Sequence, residues 1–178
     1  TAEGFREAGF DVLGLLNEPS AASIEYAHRL GGGEEAPEQI LVYDLGGGTF
    51  DVSLVRREER THSVAATESI PSLGGDDFDE VLADLAMEAA GLSAERHALS
   101  PAEEFLLMEE CRERKEALHP NTRRMVVDLE RVREGWGQST VGVNEYYEHC
   151  RSLVEETLHA TADVLAREAA GEPVSLYV

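Results

Sequence analysis

The 178-residue sequence contains a single lysine, Lys115, among its 15 basic side chains, set against 36 aspartates and glutamates. A net charge of −21 opposes binding to nucleic-acid phosphates and to anionic membranes, because any approach to a polyanion is repelled. Cysteine is scarce too. Cys111 and Cys150 fall in helical patterns, and two cysteines in a chain of this size make no disulfide framework, so both read as buried thiols. The six histidines, at 28, 62, 97, 119, 149 and 159, have no zinc-ligand spacing with each other or with the cysteines, which argues against a structural metal. No apolar run approaches the ~20 residues needed to span a bilayer, and no signal peptide opens the chain, so a cytoplasmic location is expected. There is no internal repeat and no low-complexity tract. The first residue is not methionine, and the chain is expected to begin inside a larger protein.

What the sequence does have is a stretch from Ile40 to Val55 in which two apolar, strand-like arms meet at Gly46-Gly47-Gly48, between Asp44 and Asp51. It reads as a β-hairpin that grips phosphate. In the outgoing arm Phe50, Val52 and Leu54 share one face by period two, while Thr49, Asp51 and Ser53 share a polar, working face. Glycines at the bend permit positive φ and place no Cβ in the way, so backbone N–H groups can close on a phosphate oxygen as an anion-binding nest. Two aspartates beside a polyphosphate would repel it unless a divalent cation lay between them. Asp44 and Asp51 therefore imply Mg2+, held through water. Three glycines between strands are most often only a turn, and here it is the flanking residues that tell against that reading.

Upstream, residues 1–9 pattern as the tail of a helix ending at Gly9, and Phe10 to Leu16 as a short apolar strand running into Asn17-Glu18-Pro19-Ser20. The residue before a proline is pushed out of the α region, so Glu18 is expected in an extended or turn conformation at a strand end, where a carboxylate can reach into a cleft. A helix carrying Ile24 and Leu30 follows, and Gly31 to Pro37 reads as a surface connection without function. After the hairpin, Arg56 to Arg60 is a charged turn and Thr61 to Thr67 another strand. Asp76 is an expected N-cap for an amphipathic helix through Phe78, Val81, Leu82, Leu85, Ala86 and Ala89, with Gly91 as its stop. Ser100-Pro101-Ala102-Glu103 is a capping box with proline at the first helical position. That helix runs to about Leu118, burying Leu107, Cys111 and Leu118 and setting Arg112, Lys115, Glu116 and His119 on another face at i, i+3, i+4 and i+7. Alternation then marks a strand from Arg123 to Glu130, a turn at Arg133 to Gln138 whose Trp136 covers a sheet edge, and a strand from Ser139 to Val143. Asn144 caps a long helix with Tyr147, Cys150, Val154, Leu158, Thr161 and Leu165 on one face and Gly171 as its stop. Pro173 to Val178 is a last apolar strand.

Three stretches resemble the seventy-kilodalton heat-shock chaperones, the DnaK family of actin-like ATPases. They are Asn17 to Tyr26, which begins Asn-Glu-Pro-Ser; Val42 to Leu54, with its Asp-Leu-Gly-Gly-Gly-Thr-Phe-Asp-Val-Ser; and Leu73 to Asp79, Leu-Gly-Gly-Asp-Asp-Phe-Asp. The resemblance implies an α/β, actin-like ATPase (ribonuclease H-like) fold, mainly the second lobe with its α+β upper subdomain. Residues 1–33 would end the first lobe, 34–73 form the second-lobe sheet with the phosphate hairpin, 74–143 the upper subdomain, and 144–178 the returning helix and strand.

By the same resemblance, Gly46, Gly47, Gly48 and Thr49 would hold the phosphates of ATP or ADP, and Asp44 and Asp51 would organise hydrated Mg2+. Glu18, with Asp44, would orient the attacking water, and Gly75 would pass close to the nucleotide. The face of Arg112, Lys115, Glu116 and His119 corresponds to the stripe that holds adenosine. Of these only Lys115 matches the family, and Ser20 stands where the family usually has threonine. If the helix still lines the pocket, Arg112 or His119 would stack on the base and Glu116 would accept from ribose hydroxyls, leaving ADP and GDP within about tenfold in affinity. The parent is then an ATP-hydrolysing molecular chaperone whose nucleotide state controls peptide binding in another domain. Its partners would be nucleotide, unfolded client peptides and cochaperones, not nucleic acid or membrane. The family's first-lobe phosphate loop and lysine, its adenosine Gly-Gly-Ser segment and its peptide-binding domain lie outside these residues. The chain alone is expected not to turn over ATP, since losing three charge-assisted hydrogen bonds costs about three to six decades of affinity. The alternatives are a non-chaperone actin-like ATPase or kinase, and an inactive lobe used as a protein-interaction module.

Overall fold

The computed structural model describes residues 2–29, 38–59, 61–168 and 174–178. Its elements are α1 (Ala2–Glu7), α2 (Glu18–Arg29), β1 (Gln39–Leu45), β2 (Phe50–Glu58), β3 (Thr61–Ile70), α3 (Gly75–Ala89), α4 (Pro101–Glu116), β4 (Arg124–Asp128), β5 (Gln138–Gly142), α5 (Val143–Glu168) and β6 (Ser175–Tyr177), with short 3-10 turns at Arg96–Ala98 and Leu129–Arg131. The chain divides into two units. One comprises residues 1–44, 51–69 and 160–178, the other residues 45–50 and 70–159. The connection expected at Gly31 to Pro37 and the helix stop at Gly171 lie outside the described residues.

In the first unit the sheet has the order β3-β2-β1-β6. The last strand lies parallel to β1, with Ile40 opposite Ser175 and Val42 opposite Tyr177. In β2, Val52 and Leu54 are buried as period two requires, but so are Ser53 and Val55. The strand is therefore covered on both faces rather than presenting a polar working face. Ser53 is satisfied by Thr67 of β3, with 2.8 Å between the hydroxyl oxygens. The end of α5 is tied to the sheet by Arg56, which donates to the carbonyl and the carboxylate of Glu168 at 2.8 and 2.9 Å.

Two expectations fail in this unit. Residues 10–17 form no strand, and Leu13 and Leu15 stand 94% and 74% exposed. A strand exists only by pairing its N–H and C=O groups, and among the described residues no partner strand lies beside this segment. Glu18 is not extended either. It opens α2, capped by the Asn17 side chain, which accepts the Ser20 N–H at 2.9 Å. Pro19 falls in the first helical turn, where its missing N–H would have no intrahelical partner anyway.

The second unit encloses its own core, including Leu82, Ala86, Met87, Leu107, Val127 and Leu129. Helices α3 and α4 pack on each other and on the antiparallel β4-β5 pair, in which Val127 faces Ser139. The capping box at α4 is present, with Glu103 accepting the Ser100 N–H at 2.8 Å. As expected, α3 stops at Gly91, whose φ of +74° lets the Leu92 N–H reach Met87 O at 2.8 Å. Its N-cap is Gly74 rather than Asp76; the Asp77 carboxylate accepts the Gly74 N–H at 2.7 Å. Trp136 is half-buried against the core, beneath the Arg133 guanidinium at 4.4 Å. Helix α5 buries Tyr146, Cys150 and Thr157, while Tyr147, Val154 and Leu158, expected on its inner face, are exposed. The face is turned because Tyr146 packs inward and donates its hydroxyl to Phe78 O at 3.3 Å. Both cysteines are free and buried, as expected. No helix among the described residues is long and apolar enough to cross a membrane.

Candidate functional site

Within the second unit, the turn between β1 and β2 docks on the start of α3. Gly75 and Asp76 donate their backbone N–H groups to Gly46 O and Gly47 O at 2.8 and 2.7 Å. These are two of the N–H groups that a helix start leaves unpaired, so the loop carbonyls cap the helix. The docking depends on Gly74. A Cβ there would lie 2.4 Å from Gly47 O and 2.5 Å from Gly48 N. The backbone of Gly74 is extended, at φ −164°, so contact rather than conformation demands glycine.

This docking fixes where the loop N–H groups point. No peptide bond among the described residues is cis, and in a trans peptide the N–H lies opposite the preceding C=O. Since Gly46 O and Gly47 O both face α3, the N–H groups of Gly47 and Gly48 both point away from it, on one shared side. Among the described residues, neither they nor the Thr49 N–H donates to a protein group. The bend itself is closed by Gly46 N–H to Thr49 O at 2.9 Å. The expectation of positive φ is corrected: Gly46, Gly47 and Gly48 all lie outside that region. Their value is the missing Cβ. Among the described residues an added Cβ at Gly47 or Gly48 would meet only the Asp76 carboxylate, at 3.9 Å, so no packing contact there requires glycine.

A cavity of about 620 Å3 adjoins the loop, lined by Gly46, Gly47, Asp76, Arg112, Lys115 and Glu116 among others. Arg112 donates to Asp76 Oδ1 at 2.7 Å and Glu109 Oε1 at 3.3 Å. Lys115 Nζ lies 2.7 Å from Asp79 Oδ1 and donates to Gly75 O at 2.6 Å. A second, apolar cavity of about 340 Å3 is lined by Phe78, Leu118, Tyr146, Tyr147 and Val154, with Lys115 shared between the two. Burial raises the proton affinity of the Tyr146 hydroxyl and the Cys150 thiol beside it. His119 joins neither lining. Helix α4 ends at Glu116, so His119 leaves the helical register, and its backbone N–H and C=O bond to Thr122.

The remaining expected residues belong to the first unit. Asp44 is half-buried near the end of β1, and Asp51 is the second residue of β2, where Ser69 Oγ donates to its Oδ1. Glu18 is exposed at the start of α2. The contributions that the sequence reading missed are Gly74, whose contact is invisible in a one-dimensional pattern, and Asp79, which reads as one more acid on a helix. The repeated Gly-Gly before Asp76 was the available signal for Gly74.

The family model described as Hsp70 protein matches residues 1–172. Among curated proteins, the chain is 52% identical over 94 residues to a chaperone protein HscA homolog of Vibrio campbellii, covering 53% of this chain and 15% of that protein. It is 45% identical over 118 residues to an HscA homolog of Azotobacter vinelandii, covering 66% of this chain and 18% of that one. The HscA chaperone of Klebsiella pneumoniae matches at 53% over 93 residues, which is 52% of this chain and 14% of that protein. The matched region thus spans less than a fifth of these relatives.

Proposed function

We propose, from the premise that this chain belongs to the Hsp70 family, that it carries the phosphate loop and nucleoside-facing helix of an ATP-hydrolysing chaperone of the actin-like fold. Residues 1–33 end its first lobe, 34–73 form the sheet of the second, 74–143 the upper subdomain, and 144–178 the return to the sheet. The observation that carries the reading is the pair of N–H groups at Gly47 and Gly48. They are turned to one side, bonded to no protein group among the described residues, and carried by glycines whose missing Cβ leaves room for a closely approaching ligand. Such a pair suits an anionic oxygen. Thr49 adds a hydroxyl beside it.

The nucleoside is read by Arg112, Lys115 and Glu116 on α4, and the looser planar contact of Arg112 keeps ADP and GDP within about tenfold of each other. Asp44 and Asp51 flank the loop in sequence, and no cluster of three or more metal-ligating side chains occurs among the described residues. Two carboxylates suit Mg2+, which keeps several waters and takes phosphate oxygens as ligands. When bound, the ion neutralises charge on the transferring phosphoryl group. Glu18, acting with Asp44, orients the attacking water. The nucleotide state then sets the affinity of a further domain for unfolded peptides, with cochaperones as regulators and the cytoplasm as the compartment.

The test uses the intact protein that carries this chain. Asp44→Asn and Asp51→Asn should weaken Mg2+-dependent nucleotide binding or hydrolysis, whereas Glu18→Gln should slow hydrolysis and leave nucleotide affinity nearly intact. Stopped-flow binding and single-turnover rates separate the two behaviours. Unchanged hydrolysis in Glu18→Gln would sink its assignment.

A further inference from the structure

Asp79 is fully buried in α3, and among the described residues no backbone N–H reaches its carboxylate. A buried ionised acid without amide donors is stabilised by cations beside it. Two are present, Lys115 Nζ at 2.7 Å and Arg112 Nε at 3.5 Å. The arginine also serves Asp76 and Glu109, which leaves Lys115 as the close partner.

The lysine is equally constrained. An ammonium has three N–H donors. Lys115 Nζ stands 2.7 Å from Asp79 Oδ1 as an ion pair and donates to Gly75 O at 2.6 Å, and a Cβ on Gly75 would come within 3.3 Å of Nζ. Held by the ion pair and by Gly75 O, the ammonium stands where the two cavities meet, both of which Lys115 lines.

We propose that Asp79 is a positioning residue that converts Lys115 from a mobile counter-ion into a fixed, oriented hydrogen-bond donor. A free lysine ammonium is a point charge on a flexible stem, and it attracts the most highly phosphorylated ligand whatever its shape. Paired with a buried carboxylate, its long-range charge is largely cancelled and only direction remains. Lys115 therefore reads an acceptor on the nucleoside, and phosphate is left to the loop N–H groups. This rests on the nucleotide reading above, and the experiment keeps the two apart.

Because Lys115 is the only lysine, 15N-lysine labelling of the 178-residue chain gives one side-chain signal. A tethered ammonium exchanges its protons slowly enough for an NH3+ correlation to be seen; Asp79→Asn should abolish it. Adenosine and ADP are then titrated by calorimetry into the intact protein that carries this chain, at low and high salt. Asp79→Asn should weaken adenosine about tenfold, the loss of one oriented charge-assisted hydrogen bond. It should weaken ADP less, so that the ADP-to-adenosine affinity ratio rises at low salt and relaxes at high salt. In a Lys115→Met background, Asp79→Asn should leave the ratio unchanged. That double variant removes the buried carboxylate charge together with its lysine partner and keeps the test valid should Asp79→Asn alone unfold the chain. Equal losses for the two ligands, or an NH3+ signal indifferent to Asp79→Asn, would overturn the proposal. If the wild type binds neither ligand, the nucleotide reading falls and this role with it, while the spectrum still reports whether Asp79 tethers Lys115.

Discussion

The second unit encloses Leu82, Leu107 and Leu129 completely, whereas Leu13, Leu15 and Leu16 of the first stand 94%, 74% and 62% exposed. Leucine is common to both, so apolar content does not explain the difference. Helices α3 and α4 satisfy their own backbones and need only a face to pack against, which the β4-β5 pair supplies. A strand has no internal hydrogen bonds, and residues 10–17 stay irregular among the described residues. The comparison extends to the glycines. Gly74 is demanded by contacts inside the second unit, whereas Gly4 and Gly14 of the first have nothing within 4 Å of an added Cβ.

The sharpest way to break this contrast is Gly74→Ala. With loop backbone 2.4 and 2.5 Å from the new methyl, the loop and α3 must separate, at a cost of about 4 kcal/mol in chemical denaturation. A variant as stable as wild type would refute the docking. Next in size is the pair Leu107→Ala and Leu13→Ala. The first empties a fully buried site and should cost about 3 kcal/mol, while the second should stay within about 0.5 kcal/mol. Similar losses from both would erase the distinction between the units.

The smallest effect is a pH dependence. The Arg133 guanidinium, followed by the hydroxyl and N–H of Ser100, holds the Glu103 carboxyl down at about 2 against an ordinary 4.5. A depressed carboxylate stabilises the fold above its ordinary value and loses that contribution as pH falls through the depressed one. The stability advantage of wild type over Glu103→Gln should therefore be full above pH 4.5 and fade toward about pH 2. Thermal melts across that interval read it. A difference independent of pH would remove the ion pair and capping hydrogen bonds as its cause.

The second unit was the more legible in sequence, and for the same physical reason. Ser100-Pro101-Ala102-Glu103 and Gly91 announce helix ends through local chemistry, and both stand where they were read. Residues 10–16 were misread because a strand depends on a neighbour that no local pattern records. Glu18 was misread because the proline restriction is weaker than a side-chain cap at a helix start, here Asn17 on Ser20. On α5, Tyr147 and Tyr146 are interchangeable in an apolar count, and only the reach of the Tyr146 hydroxyl to Phe78 O settles which faces inward. At the site, the glycine run and the Arg112, Lys115 and Glu116 face were visible. The close approach of Gly74 and the pairing of Asp79 with Lys115 join segments far apart in the chain and were not.

The phosphate-binding role of the loop turns on why residues 47 and 48 are glycine. Among the described residues an added Cβ at either would meet only Asp76, at 3.9 Å, and neither has positive φ. Gly47→Ala and Gly48→Ala should therefore leave chemical-denaturation stability within about 0.5 kcal/mol of wild type. In the intact protein, each should weaken ADP binding by at least about tenfold, because the methyl stands where a phosphate oxygen must approach the N–H pair. Measuring ADP affinity and stability side by side for the two variants gives the answer. Intact stability with lost affinity is the expected result, and ADP affinity equal to wild type in both would contradict the phosphate-binding role of the loop.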